Sequence, residues 1–303
     1  MSRSAIKTAK IKRSKGDRIF DIILMVLAVI LLIIFAYPLY FMIIASFSNT
    51  SAVWNGEVKF LPVGFSLEGY QELLKNTDIW IGYANSILYT ALGTLINLVM
   101  TILAAYVLSQ PEFKPRNVMM KLITFTMFFS GGLIPTYLLI KGLGMLDTIW
   151  ALVIPGSINV TNLIITRTFF VSNIPRELKE ASMLDGITDV GYLMKIVLPL
   201  SKAIIAVIAL YYGVAHWNSY FNAMIYLSSS NKFPLQLILR QILLKTTTMT
   251  ESSGDSAFIA QQVRLAEIIK YCAIIVASIP ALIAYPFIQK YFVKGVMIGS
   301  IKG

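Results

Sequence analysis

The sequence is poorest in the residues that carry chemistry. It has one cysteine, Cys272, and one histidine, His216, in 303 residues. A lone cysteine excludes an intrachain disulfide, and Cys272 stands in an apolar block, where a thiol serves as a small apolar side chain. Structural metal sites draw their ligands from clustered Cys and His, so no metal site is expected. Neither a glycine-rich phosphate loop, a nucleophile elbow nor an internal repeat occurs, and no catalytic residue is expected. Charge is scarce as well: 14% of residues are charged, against roughly 25% in a soluble domain. A secondary transporter needs ionisable groups inside the bilayer to couple an ion gradient. In the middle of the apolar blocks no Asp, Glu or Lys stands, and His216 is the one group left to titrate. A membrane-embedded enzyme would want paired His, Asp or Cys there, and these are missing too.

What the chain has is apolar length. Hydrophobic residues make up 57% and the mean hydropathy is +0.73. Six apolar blocks, about 20–47, 83–109, 119–140, 149–171, 201–227 and 265–289, each reach the roughly 20 residues that span a hydrocarbon core. The expected fold class is an all-α integral membrane protein of six transmembrane helices. The net charge of +11 falls on the segments that share a side with the amino terminus, which puts both termini in the cytoplasm. That distribution makes the basic excess a topology signal and argues against nucleic acid. The first block is too long for a cleavable signal peptide, and no small-residue cleavage site follows it. The expected parts are a basic cytoplasmic tail (1–19), a first transmembrane helix with an outer loop (20–82), a core (83–290) and a cytoplasmic tail (291–303). An amphipathic piece within 66–74 is expected on the outer surface. Arg167, near the inner end of the fourth block, can snorkel to the headgroups.

Between the fourth and fifth blocks lies a polar segment, 173–200, which the hydrocarbon would not tolerate. Pro175 suits the first turn of a helix, and Gly186 is placed to end that helix as a left-handed cap. Thr188 and Asp189 can start a second helix, and Pro199 marks the entry to the next block. The product is a helix–Gly–helix elbow on the membrane surface. Its residues Glu180-Ala-Ser-Met-Leu-Asp-Gly186 and Ile196-Val-Leu-Pro199 resemble the cytoplasmic loop of the permease subunits of ATP-binding-cassette (ABC) importers. The family pattern is Glu-Ala-Ala, three residues, Gly, nine residues, then Ile-x-Leu-Pro. Glu180, Ala181, Gly186, Ile196, Leu198 and Pro199 fall in register, with Ser182 in place of an Ala. The Asn85-Ser86 start of the second helix, the Trp217-Asn218 pair and the carboxyl end, Gly295 to Gly303, resemble the MalG-type, sugar-importing branch. Phe129-Ser-Gly-Gly-Leu-Ile-Pro-Thr-Tyr137 looks like a sub-branch serving oligosaccharides of plant or algal polysaccharides and fructans.

The resemblance implies a type I ABC importer permease in a bacterial cell membrane, with the elbow residues (Asp185 among them) docking on a separate ATPase. It implies a second, different permease subunit, two ATPase subunits and an extracytoplasmic solute-binding protein as partners. No cofactor is bound by this chain; ATP and Mg sit on the ATPase. The solute is expected to be a carbohydrate, an oligosaccharide above all. A non-sugar solute is the alternative, and secondary transport fits less well. Candidate path residues are Trp217, Asn218, Tyr220, Tyr212 and Asn222 of the fifth block, whose amides and rings suit sugar hydroxyls and CH faces. Trp217 and Tyr220 would share one helix face and Asn218 and Asn222 another, with helix–helix packing the rival use. Ser130 and Gly131, ahead of Pro135, must bend the third helix, either for close packing or to line the path. The outer loop 228–263 has an apolar helical pattern in its first half, expected along the membrane surface. Its tip holds Thr248, Glu251 and Asp255, expected to reach the binding protein. By the same resemblance the carboxyl tail inserts between the ATPase subunits.

Overall fold

A computed structural model describes residues 15–251 and 257–295. The elements run α1 (Lys15–Ser46), α2 (Thr50–Trp54), α3 (Glu68–Lys75), α4 (Thr77–Ser109), α5 (Arg116–Phe125), α6 (Leu133–Gly142), α7 (Trp150–Val153) and α8 (Val160–Asn173). After these come α9 (Arg176–Leu184), α10 (Asp189–Tyr192), α11 (Leu198–Leu200), α12 (Lys202–Trp217), α13 (Phe221–Tyr226), α14 (Leu235–Glu251) and α15 (Ala257–Gly295). Among the described residues three stretches are long and apolar enough to cross a membrane: α1, α4 and Arg264–Ile283 within α15. A fourth forms if the run Asp189–Leu200 and the helix Lys202–Trp217, bent by 83° to each other, count as one.

The third, fourth and fifth apolar blocks are therefore not the continuous helices that their composition suggests. The third breaks between Phe125 and Leu133, where Gly132 has φ +83, a conformation only glycine adopts without strain. The fourth breaks at Pro155-Gly156, between α7 and α8. In the fifth, α12 ends at Trp217 and α13 begins at Phe221. Hydropathy registers apolar length and is blind to these backbone interruptions; of the three, the break ahead of Pro135 is the one expected from the residues themselves.

Helix α4 is the axis of the bundle, packing against α8, α12 and α14. Its small and hydroxylated residues allow the close approach. A Cβ on Gly93 would stand 2.5 Å from the His216 ring, whose Nε2 lies 3.1 Å from the Asn97 amide nitrogen. Thr101 and Tyr212 hydroxyls meet at 2.7 Å. Helix α1 contributes no burial across its apolar window; only its last turn, Ile44 to Ser46, is covered. α3 does not stand alone on a surface. Leu73 is buried, and Gly69 faces Cys272 and Ile268 of α15.

The segment expected as an outer loop is largely helix. α14 lies against α4 and α15, with Leu235, Ile238 and Leu239 buried beside Ile79, Ile268 and Val276. The apolar periodicity is the reason: that face is covered by protein. The polar end of this loop is helical through Glu251, so Thr248 and Glu251 belong to α14, while Asp255 lies outside the described residues. Most of the basic amino-terminal tail and the carboxyl end 296–303 lie outside them as well.

Candidate functional site: an anchored elbow and an apolar-walled cavity

The elbow is built from its caps. Asp185 is the C-cap of α9, and Gly186 follows with φ +72. The Gly186 N–H donates to the Met183 carbonyl (3.1 Å) and the Ile187 N–H to the Ser182 carbonyl (2.9 Å). These two bonds form a Schellman closure, which needs the left-handed residue that glycine supplies. Thr188 then caps α10, accepting from the Gly191 N–H at 3.2 Å. Pro175 is the N-cap residue rather than the first helical one. From α10 the chain passes through a π-helical turn, Leu193–Val197, into α11. The Leu198 N–H reaches back to Leu193. Pro199 brings no N–H and a ring that crowds the carbonyl four residues earlier, so the wide turn just ahead of it has a local cause.

One face of this elbow is anchored. Lys179 is nearly enclosed, its side chain 12% exposed. It donates to Gln110 Oε1 (2.7 Å) and Glu112 Oε2 (3.2 Å), and lies 3.6 Å from an Asp189 carboxylate oxygen. A backbone N–H bond at Glu112 itself, and then Lys179, hold the Glu112 carboxyl below the usual range. Tyr106 donates to the Asp189 carbonyl, and Arg167 donates to the Leu108 carbonyl at 2.9 Å rather than reaching outward. Tyr192, Leu193 and Val197 join the buried cluster with Tyr106, Leu163 and Phe170. Ser182 is buried with its hydroxyl on the Lys179 carbonyl, a place that admits only a small side chain. Ile196 and Leu198 are half-buried, whereas Glu180, Ala181, Asp185, Gly186 and Pro199 are exposed. The outer face carries apolar side chains in the open: Leu184 is 90% exposed, Val190 71% and Met194 59%.

The second site is a cavity of about 1200 Å³ between α4, α12, α14 and α15. Trp217, Asn218 and Tyr220 border it, and Tyr212, Asn222, Ser130 and Gly131 do not. Tyr212 is 3% exposed, and its hydroxyl takes the Asn159 N–H besides meeting Thr101. It ties α12 to α4 and α8. Asn222 is exposed on α13, and Ser130 and Gly131 are exposed at the break between α5 and α6. The two helical faces expected for the fifth block do not exist, because the helix stops at Trp217. The turn at 218–220 lets Trp217, Asn218 and Tyr220 border one space. Trp217 also donates to the Ala277 carbonyl on α15 (3.1 Å), and Asn218 to Val214 (3.0 Å).

Three features of these sites went unread in the sequence. Gln236 and Arg240 of α14 border the cavity; a single charge inside an apolar helical pattern was the available signal. Nothing in the residues around it sets Lys179 apart from an exposed lysine. Away from the elbow, Asp147 (φ +54) accepts from the Ser228 and Ser229 N–H groups, the Ser229 hydroxyl and the Lys232 ammonium at 2.7–3.0 Å. Lys232 first, and then these donors, hold the Asp147 carboxyl far below the usual carboxylate range. The staple fastens the loop before α7 to the segment that leads into α14.

No family model matches the chain. Relatives and a solved structure do. The chain is 41% identical to the polygalacturonan/rhamnogalacturonan transport system permease protein YtcP of Bacillus subtilis (strain 168), over 95% of this chain and 99% of that protein. It is 39% identical to Protein LplC of the same organism, over 96% and 97%. A crystal structure of a bacterial ABC transporter involved in the import of the acidic polysaccharide alginate contains a chain of the same fold. That match has TM-score 0.84 at 34% identity and covers 93% of this chain and 99% of the other. This is a multi-pass membrane protein, and with near-complete coverage at these identities it belongs to the permease proteins of ABC transporters, in the MalG-type carbohydrate branch.

Proposed function

We propose that the chain is one of two different permease subunits of an ATP-driven importer of oligosaccharides in a bacterial inner membrane. The observation that carries this reading is the full-length likeness to the alginate-importer chain, joined to an elbow whose anchored side and open apolar side fit a docking lever. Six passes with both termini in the cytoplasm accommodate the three long helices and the broken blocks. ATP and Mg belong to two partner ATPase subunits, whose cleft takes the exposed face around Leu184. An extracytoplasmic binding protein delivers the sugar, and the end of α14 with the residues beyond it, 248–255, faces that protein. The sugar passes Trp217, Asn218 and Tyr220.

Mechanism follows from rigidity. Closing ATPases move α9; the Schellman closure and the Lys179 contacts keep the elbow stiff; and the 83° bend at Ser201 turns that motion into tilt of α12. Rigid-body switching of this kind needs packed elements. Tagging the chain, purifying it from its native membrane and identifying its companions tests the assembly. Uptake of labelled oligosaccharide in a deletion strain, restored by the wild-type gene, tests the activity. Purification without an ATPase, or unchanged uptake on deletion, refutes the reading.

A further inference from the structure

Among the described residues Arg240 is the only charged side chain on the cavity wall. Its guanidinium carbon stands 5.3 Å from the Tyr220 ring centroid, and one N–H points at the Met224 thioether. Among the described residues it has no carboxylate partner. A cation beside an apolar wall without a countercharge is electrostatically unfavourable, and a guanidinium is retained at such a place where a planar anion can meet it. Stacking on Tyr220 occupies one face of the guanidinium and leaves N–H groups at its edges for a fork-like contact.

Two further polar residues stand on the same wall. The Thr90 hydroxyl is buried and without a hydrogen bond among the described residues. Gln236, one helical turn before Arg240, shares its face of α14 and borders the same cavity. Trp217 and Tyr220 add ring surfaces, and Asn218 an amide. Cation, amides and rings around one space match a saccharide that bears a carboxylate: the fork takes the acid, the amides take hydroxyls, the rings take the CH face.

We infer that the cavity selects uronate-bearing oligosaccharides, with Arg240 as the residue that recognises the sugar carboxylate. The inference rests on the carbohydrate reading above. The test uses the whole transporter, purified with its partner subunits and reconstituted in vesicles with its binding protein and ATP. Uptake of trigalacturonate is compared with that of its methyl ester, which keeps the shape and removes the charge. Direct binding of both sugars to the solubilised complex, read from tryptophan fluorescence, is measured alongside, so that the binding protein's own preference does not decide the result. Arg240→Gln is expected to weaken trigalacturonate binding and uptake on the order of tenfold while leaving the ester's binding unchanged, and Arg240→Lys to recover part of the loss. Equal losses for both sugars, or none for either, overturn the inference. A wild-type complex that handles only neutral sugars also overturns it while leaving the carbohydrate reading intact, whereas one that takes neither these sugars nor any other oligosaccharide defeats that reading itself.

Discussion

At Gly186 the backbone alone sets the constraint. Its φ is +72, and a Cβ there would meet nothing within 4 Å, so a substitution is penalised by conformation rather than by contact. Gly186→Val is expected to strain the cap by about 1–2 kcal/mol, leave membrane levels normal and raise the ATP hydrolysed per sugar imported. Gly186→Asn, which tolerates the left-handed region better, is expected to be milder. Full coupling in the Val variant would remove the cap from the mechanism. Asp147 poses the complementary case, a residue held by its partners. Its depressed carboxyl pKa means that the staple contributes fully above the ordinary carboxylate range and loses that contribution as pH falls below roughly 4. Asp147→Asn keeps a residue suited to φ +54 but removes the charge. Thermal unfolding of the solubilised protein is expected to show a smaller drop in Tm between pH 6 and pH 3 for the Asn variant than for the wild type; parallel curves would count against the ion pair.

Among the elements, α9 and the α4–α5 turn are joined chiefly through Lys179. A hydrogen bond to a charged group contributes about 1.5–3 kcal/mol when shielded. The side chains of Glu112 and Asp189 are 55% and 69% exposed, so most of the effect rests on the enclosed ammonium and Gln110. Lys179→Met preserves the stem and deletes these bonds. The expected result is a folded protein whose ATPase partner still co-purifies but whose hydrolysis responds less to sugar and binding protein. Stimulation equal to wild type would leave Lys179 with no part in transmission. Helix packing has its own sensitive point at Gly93, where an added methyl meets the His216 ring. Gly93→Ala is expected to push α4 and α12 apart at the cost typical of overpacking, about 1–3 kcal/mol, seen as a lowered Tm with the elbow unaltered.

The whole molecule leaves much apolar surface uncovered. α1 is unburied along its apolar window, as lipid contact requires, but the open side chains of the elbow sit on a polar segment where lipid is no explanation. At 90% exposure, Leu184 contributes almost nothing to this chain's own stability. Leu184→Glu is therefore expected to leave Tm and membrane insertion intact while the ATPase subunit is lost on purification. Retention of the ATPase would move the docking face elsewhere on the elbow.

Composition, the polar interruption of the apolar blocks and the Glu-Ala-Ser…Gly…Ile-x-Leu-Pro spacing were enough for the membrane class, the elbow and the family. Each of these is local: transfer free energy belongs to a segment, and a left-handed cap followed by an N-cap is decided by a few neighbouring residues. What lay beyond reach was decided between segments. Whether Tyr212 faces a path or a neighbouring helix depends on where Thr101 and Asn159 lie. Whether Trp217, Asn218 and Tyr220 border one space depends on a helix ending that carries no proline or glycine to announce it. α14 read as a surface element because its amphipathic stripe says only that one face is covered, not by what; the packing of α4 and α15 supplied the cover and brought Arg240 to the cavity. Periodicity fixes which side of a helix is hidden, and only the assembled bundle decides which polar groups on its other side meet one another.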